Sequence, residues 1–346
     1  MVGGVKVGGG APISVQSMTN TKTSNIPDTV AQINRLAELG CEIVRVAVQD
    51  MACADAIGEI KKQISIPLVA DIHFNHILAI RAAEAGADKI RINPGNIGGE
   101  GKVREVAEVC ARKGIPIRIG VNGGSIGKEL LAKHGGLTPE AMVESACENI
   151  RLLDSNDFYD ICVSVKASSV PLTIAAYKLL HAKVDYPLHL GITEAGTENM
   201  GLIKSAVGIG SLLAEGIGDT LRVSLTAPPE CEVEAALMIM RALGLRKEYE
   251  LISCPTCGRC EVDLIPIARE VEQRLAAHNL NISVAVMGCP VNGPGEAARA
   301  DYGIACNEGA GVIFQKGKVF KKVDMSSIID ELFIAIESGE KIIERA

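Results

Sequence analysis

The 346-residue sequence predicts an α/β chain: a closed parallel (β/α)8 barrel of the TIM type followed by a smaller α+β domain. Three observations carry this. From about residue 13 to residue 245 one unit recurs, namely a short β-branched run with polar residues near its end, a Gly/Asn/Pro break, and an amphipathic stretch. The unit occurs eight times, and its apolar runs are nearly continuous, as expected of strands covered by helices outside and closed on themselves. After about Glu250 the alternation stops and a Cys- and Gly-rich segment begins. The expected division is 1–250 and 251–346.

The strand candidates are 13–18, 42–48, 67–72, 89–93, 116–121, 159–165, 187–193 and 220–225, each followed by a helical pattern. Pro27-Asp28-Thr29 opens one helix and Thr138-Pro139-Glu140 another, because proline suits the first turn, where its missing N–H is not needed. Ala82-Ala83-Glu84-Ala85-Gly86 closes a third. An open doubly wound sheet is the alternative, but no Gly-x-Gly-x-x-Gly run stands at the first turn and the count of eight suits closure. The long connection 122–139, with Gly123-Gly124-Ser125 and Gly135-Gly136, reads equally as a lid over the barrel mouth or as a surface insertion. Beyond Cys260 the pattern gives a helix over 264–278, a strand over 282–287, a Gly-Pro-Gly turn, a hairpin of 311–315 and 318–323, and a terminal helix over 325–344.

A net charge of -7 argues against a nucleic-acid partner, which selects a basic excess, while leaving a local basic pocket possible. No stretch approaches the roughly 18 apolar residues of a membrane span, and the Gly-rich start has no apolar leader core, so a cytoplasmic protein without a membrane partner is expected. In that compartment the eleven cysteines are not disulfide staples, and Cys41, Cys110, Cys147 and Cys162, in apolar periodic segments, read as small core residues.

The strand ends carry charges that an apolar run would otherwise exclude: Arg45, then Asp71 and His73, Arg91 and Asn93, Arg118 and Asn122, Lys166 with Ser168, His189 and Glu194, and Arg222 with Ser224. Such groups are costly unless paired or solvated, and barrel enzymes assemble their sites at the C-terminal strand ends. Five cations stand against Asp71 and Glu194, a surplus of three positive charges. Arginine forks match phosphate oxygens, so a diphosphate is the expected guest, although one or two of the arginines are expected to pair internally. His73 and His189 individually carry less weight, since a lone histidine is more often structural.

Cys254-Pro-Thr-Cys257 is followed by Cys260, by Gly288-Cys289-Pro290 and by Glu296 behind a Gly-Pro-Gly turn. Closely spaced soft thiolates plus a remote Cys-Pro are the parts of an iron-sulfur site. Spacing alone would assign Cys254, Cys257, Cys260 and Cys289; zinc is the alternative, though a ribbon would need a second close pair. Lys316, Lys318, Lys321 and Lys322 on the hairpin read either as a landing site for an acidic electron donor or as a solvated edge.

Ala11-Pro-Ile-Ser-Val-Gln-Ser-Met-Thr-Asn20, Ala70-Asp-Ile-His-Phe74, Arg91-Ile-Asn-Pro-Gly-Asn96, His189-Leu-Gly-Ile-Thr-Glu-Ala-Gly196, Ser253-Cys-Pro-Thr-Cys-Gly-Arg259 and the segment from Met287 through Glu296 resemble, in order, the 4-hydroxy-3-methylbut-2-en-1-yl diphosphate synthase family. The resemblance covers nearly the whole chain. It implies an oxidoreductase of non-mevalonate isoprenoid biosynthesis that reductively opens 2-C-methyl-D-erythritol 2,4-cyclodiphosphate with loss of water. It also implies a [4Fe-4S] cluster, ferredoxin or flavodoxin as electron donor, and a homodimer in which one subunit's cluster domain caps the other's barrel. On the family pattern the cluster ligands fall on Cys254, Cys257, Cys289 and Glu296, diphosphate contacts on Arg45, Arg118, Asn122, Lys166 and Arg222, and a candidate acid on Glu194; Arg91, Ser168, His189 and Ser224 join the substrate-binding set from the charged ring. A displaceable carboxylate would leave one iron reachable by a substrate oxygen, which a fourth thiolate would not. Cys260 departs from the pattern and makes an all-cysteine site conceivable. The remaining rivals are a non-enzymatic electron carrier and a zinc-ribbon barrel transferase of the pterin type.

Overall fold

The computed structural model describes residues 1–246, 248–278, 280–289 and 296–339, with the side chains of Pro94 and Glu296 outside the description. Two compact units, Met1–Leu245 and Arg246–Ala346, divide the chain.

In the first unit β1 (Ser14–Met18), α1 (Ile26–Glu38), β2 (Ile43–Ala47), α2 (Met51–Lys61), β3 (Leu68–Asp71), α3 (His76–Ala85), β4 (Lys89–Ile92), α4 (Pro94–Ile97), α5 (Glu100–Lys113) and β5 (Ile117–Asn122) alternate. They continue as α6 (Lys128–Lys133), α7 (Pro139–Asp154), β6 (Ile161–Lys166), α8 (Val170–His181), β7 (His189–Leu190), α9 (Glu198–Ala214), β8 (Thr220–Leu221) and α10 (Pro229–Ala242). The strands are parallel in the order β6-β5-β4-β3-β2-β1-β8-β7, and a parallel bridge from Val163 in β6 to Leu188 closes the ring, so the (β/α)8 barrel expected from the repeat is present. Its core is an unbroken layer of buried Val, Ile, Leu and Ala between strands and helices. The helix signals behave as expected: Thr138 Oγ1 accepts from the Ala141 N–H at 3.2 Å, and Gly86 ends α3 with φ 105°.

Two differences matter for the site. β7 and β8 are only two residues long where 187–193 and 220–225 were expected. Past β8 the Arg222 N–H still donates to the Leu190 carbonyl at 3.0 Å, but the Leu225 N–H is taken by the Glu232 carboxylate at 3.0 Å rather than by a strand carbonyl. The connection 122–139 is not featureless: a 3-10 turn at Gly123–Ser125, closed by Ser125 Oγ against both the N–H and C=O of Asn122, leads into α6.

The second unit holds β9 (Glu250–Ser253), α11 (Leu264–His278), β10 (Ser283–Met287), β11 (Tyr302–Cys306), β12 (Ala310–Gln315), β13 (Lys318–Asp324) and α12 (Ile328–Ser338). One sheet, ordered β13-β12-β11-β10-β9, is parallel on β9, β10 and β11 and antiparallel on β12 and β13, which is the α+β arrangement expected. Lys316 (φ 47°) and Gly317 (φ 77°) make the hairpin turn, both left-handed as such two-residue turns require. The terminal helix is preceded by a 3-10 turn at Met325–Ser327, so it starts later than residue 325; positions 340–344 of the expected helix and the Gly-Pro-Gly turn at 293–295 lie outside the described residues.

Candidate functional site

Strand register builds the barrel mouth. It sets Met18 beside Arg45, Asp71 beside Arg91, Arg91 beside Arg118, and Asn122 beside Lys166. Paired residues on adjacent strands point to the same face, so these side chains form one polar layer at the C-terminal strand ends. They enclose a cavity of ≈ 250 Å³ lined by Met18, Arg45, Asp71, His73, Arg91, Arg118, Asn122, Ser164, Lys166, Thr193, Arg222 and Ser224. Larger hollows of ≈ 590 and ≈ 700 Å³ are lined mainly by residues of the outer helices, such as Glu144, Cys147 and Arg151, and gather no comparable set of buried cations.

Of the residues expected at the site, Arg45, Arg91, Arg118, Asn122, Lys166, Arg222 and Ser224 line the cavity. Ser168, His189 and Glu194 do not: Ser168 and Glu194 are exposed, whereas His189 is fully buried, with Nδ1 3.4 Å from Thr220 Oγ1 and no partner for Nε2. Glu194 stands in a left-handed conformation, φ 52°, which non-glycine residues adopt at some cost. Met18, Ser164, Thr193 and, behind the cavity, Glu232 belong to the arrangement although the sequence did not single them out.

The charges are unevenly matched. Arg91 Nη1 donates to Asp71 Oδ1 at 2.9 Å, and Arg45 Nε lies 3.7 Å from Asp71 Oδ2. Arg222 is held by Glu232, with Nη2 at 3.1 Å and Nε at 3.2 Å from Oε2. Among the described residues Arg118 and Lys166 reach only neutral acceptors, Gln16 Oε1 and the Leu190 carbonyl, at 3.5 and 3.4 Å. Among the described residues the buried Nε atoms of Arg91 and Arg118 have no partner. So the internal pairing anticipated for one or two arginines involves three, and the second carboxylate is Glu232 rather than Glu194.

Burial among like charges pushes these groups down. Lys166 lies well below the usual ammonium value through burial and then Arg118, Arg45, Arg222 and Arg91; Arg45 is depressed in the same way, and Arg118 is brought to about 10. His189 is held well below the usual imidazole value by burial and by Lys166 and Arg118. A bound polyanion would relieve this repulsion. Two glycines make room for the cations themselves: a Cβ at Gly191 would stand 2.5 Å from Lys166 Nζ and 2.7 Å from the Arg222 carbonyl, and one at Gly120 would stand 2.5 Å from Arg91 Nε.

Asp71 is the anchor. Burial alone would raise its pKa, but Arg45, the nearby His73 ring and Arg91 outweigh burial and hold it well below the usual carboxylate range. A carboxyl depressed in the folded state contributes stability above its unfolded-state value and loses it as pH falls through the folded one. Asp71→Asn is therefore expected to cost about 3–5 kcal/mol at neutral pH, because it strands two buried guanidinium groups. Thermal unfolding across pH should show the gap between wild type and variant narrowing below about pH 4.

In the second unit the parallel pairing of Val286 with Ser253 brings the cysteine loop after β9 beside the end of β10. Three bonds stitch them: the Cys254 N–H to the Val286 carbonyl at 3.2 Å, the Glu261 N–H to the Gly288 carbonyl at 3.0 Å, and the Gly288 N–H to Cys254 Sγ at 3.2 Å. Exposed Cys257 has its thiol pKa lowered by bonds to Arg259, first from the backbone and then from the side chain. Cys260 donates instead to the Val262 carbonyl at 3.2 Å, and a Cβ at Gly288 would fall on its sulfur. Cys306 is buried at the end of β11, its thiol pushed up to about 12 by burial and by Cys260 and Cys254. Among the described residues no three Cys, His, Asp or Glu side chains converge on one point, and the Glu296 side chain lies outside the description. Cys254 and Cys289 follow the parallel neighbours β9 and β10 at the same end of the sheet, and their thiols are of the chemistry that an iron-sulfur centre takes. Lys316 and Lys318 sit at the opposite end of that sheet, because Lys318 pairs with Gln315 and Gln315 with Tyr302, whereas Lys321, engaged by Glu331 at 2.6 Å, and Lys322, paired with Val312 opposite Ala305, lie nearer the end that carries the cysteines.

Among the described residues no helix is long and apolar enough to cross a membrane. Residues 1–237 match the family model of the GcpE TIM-barrel domain and residues 250–338 that of the GcpE protein C-terminal domain. A protein of Caldanaerobacter subterraneus named 4-hydroxy-3-methylbut-2-en-1-yl diphosphate synthase (flavodoxin) is 60% identical over 341 residues, 98% of this chain and 96% of its own. Proteins with the same name from Caldicellulosiruptor saccharolyticus and Geobacter sulfurreducens are each 56% identical over 337 residues, 97% of this chain and 97% and 96% of theirs. Among solved structures, Yersinia pestis dihydropteroate synthase superposes with a TM-score of 0.49 at 13% identity, over 67% of this chain and 92% of its own, too slight a likeness to carry an argument. With both family models matched in order and near-full-length identity above half, the chain belongs to the GcpE family of 4-hydroxy-3-methylbut-2-en-1-yl diphosphate synthases.

Proposed function

We propose that this chain is an oxidoreductase that converts 2-C-methyl-D-erythritol 2,4-cyclodiphosphate to (E)-4-hydroxy-3-methylbut-2-en-1-yl diphosphate in non-mevalonate isoprenoid biosynthesis. The reaction breaks one ring C–O bond and expels a hydroxyl as water, taking up two electrons and two protons. The observation that carries the reading is the chamber of Arg45, Arg91, Arg118, Lys166 and Arg222, in which Arg118 and Lys166 have no carboxylate partner among the described residues. A diphosphate supplies the missing charge in the geometry that guanidinium groups prefer.

In this reading the five cations hold the diphosphate, Asn122 and Ser224 add neutral hydrogen bonds, and Asp71 keeps Arg91 and Arg45 in place. Ser168 and His189, expected among the substrate contacts, stand outside the lining of the chamber, the first exposed and the second fully buried. Glu194, held at φ 52° on the rim, is the candidate proton donor to the departing oxygen. Cys254, Cys257, Cys289 and Glu296 would hold a [4Fe-4S] cluster, which supplies the electrons when bound and, through its carboxylate-held iron, a Lewis-acidic position for oxygen. Flavodoxin, part of the relatives' names, is the electron donor in this reading, with ferredoxin the alternative; a cytoplasmic homodimer is what the family resemblance implies for its assembly.

Anaerobically purified protein tests the cofactor assignment. The expected result is a brown protein with about four irons and four sulfides per chain and a paramagnetic signal on reduction. A colourless protein with stoichiometric zinc would overturn it.

A further inference from the structure

Glu232 lies in the first turn of α10, after Pro228 and Pro229, and is 5% exposed. It lines no cavity described above, yet its carboxylate is fully engaged. Oε2 accepts from Arg222 Nε at 3.2 Å and Nη2 at 3.1 Å, Oε1 accepts from Nη2 at 3.3 Å and from the Leu225 N–H at 3.0 Å, and Ser17 Oγ lies 3.5 Å from Oε2. The carboxylate thus grips one edge of the guanidinium and the backbone three residues further on. Arg222 Nη1 is left on the cavity side, 3.6 Å from Met18 Sδ. The same sulfur accepts from Arg45 Nη2 at 2.9 Å and Nε at 3.1 Å, so a neutral, polarisable atom stands between two guanidinium groups that would otherwise repel.

We infer that Glu232 is a positioning residue: it fixes the plane of Arg222 and the end of β8, so that the free edge of the guanidinium is presented to a diphosphate in the chamber. The inference rests on the reading of the chamber as a diphosphate site and deepens it. Fixing a fork before the ligand arrives removes its ordering cost from binding, and a bidentate carboxylate at the helix start is suited to hold it.

Charge and position make opposite predictions. Glu232→Gln adds one positive charge to the chamber. If Glu232 merely balanced charge, inorganic pyrophosphate would bind the variant more tightly. A positioning role predicts about tenfold weaker binding by calorimetry and a matching rise in KM for the cyclic diphosphate with a smaller change in kcat. In an Arg222→Met background the same substitution should have no further effect. Glu232→Asp keeps the charge and loses one methylene of reach; it should fall between wild type and Gln with a near-wild-type Tm, which separates misplacement from misfolding. Unchanged or tighter pyrophosphate binding by Glu232→Gln, or an equal loss with Arg222 already removed, overturns the inference. Failure of the wild-type protein to bind pyrophosphate would instead remove the diphosphate reading itself.

Discussion

Arg118→Met is expected to weaken cyclic diphosphate binding by two to three orders of magnitude while raising the Tm of the ligand-free protein. The side chain is 1% exposed, its best contact is Gln16 Oε1 at 3.5 Å, its Nε has no partner, and it stands beside Arg91. Truncating a buried charge that meets an opposite charge on the ligand typically costs about 2–5 kcal/mol of binding, with 1.4 kcal/mol for each tenfold. Without ligand the sign reverses, because an apolar side chain of similar length removes an uncompensated buried charge, a change that is often neutral or stabilising. Differential scanning calorimetry with and without inorganic pyrophosphate reads both halves at once. A variant with wild-type ligand-induced stabilisation, or one that is destabilised without ligand, contradicts the account.

Cys289→Ser and Cys254→Ser are each expected to abolish cluster incorporation and lower turnover by at least about a thousandfold, since no step of the reductive opening proceeds without the electrons. Cys306→Ser and Cys260→Ser should keep the cluster: Cys306 is a buried thiol at the end of β11, and Cys260 already spends its S–H on the Val262 carbonyl. Iron content and visible absorbance separate the four variants. Loss of the cluster in Cys260→Ser beside retained turnover in Glu296→Ala would restore the all-cysteine assignment that spacing alone suggests.

The barrel was legible because its signal is periodic and redundant: eight apolar runs, capped helices and charges at the same end of most strands. The cationic half of the chamber was legible for the same reason, since Arg91 inside Ile-Arg-Ile or Arg118 inside Ile-Arg-Ile has no inexpensive place in a closed sheet except the mouth. Glu232 was not, because a glutamate in the first turn of a helix is ordinary on dipole grounds, and only tertiary packing reveals that it faces Arg222. Met18 was hidden similarly, as an apolar residue in an apolar strand. In the second unit β9 is short and half exposed and β11 contains Gly303, so neither shows a strand pattern; the glycine is required because a Cβ there would strike the Phe314 ring. Past β8 the strand pattern gives way to the site, where the Glu232 carboxylate rather than a strand carbonyl is the partner of the Leu225 N–H.

The most direct measurement is turnover. Anaerobic protein with its cluster intact, reduced flavodoxin and 2-C-methyl-D-erythritol 2,4-cyclodiphosphate, followed by phosphorus NMR, should show the cyclic diphosphate signals replaced by those of a linear diphosphate ester, with two electrons consumed per product. Unchanged cyclic substrate in the presence of an intact, reducible cluster would contradict the account.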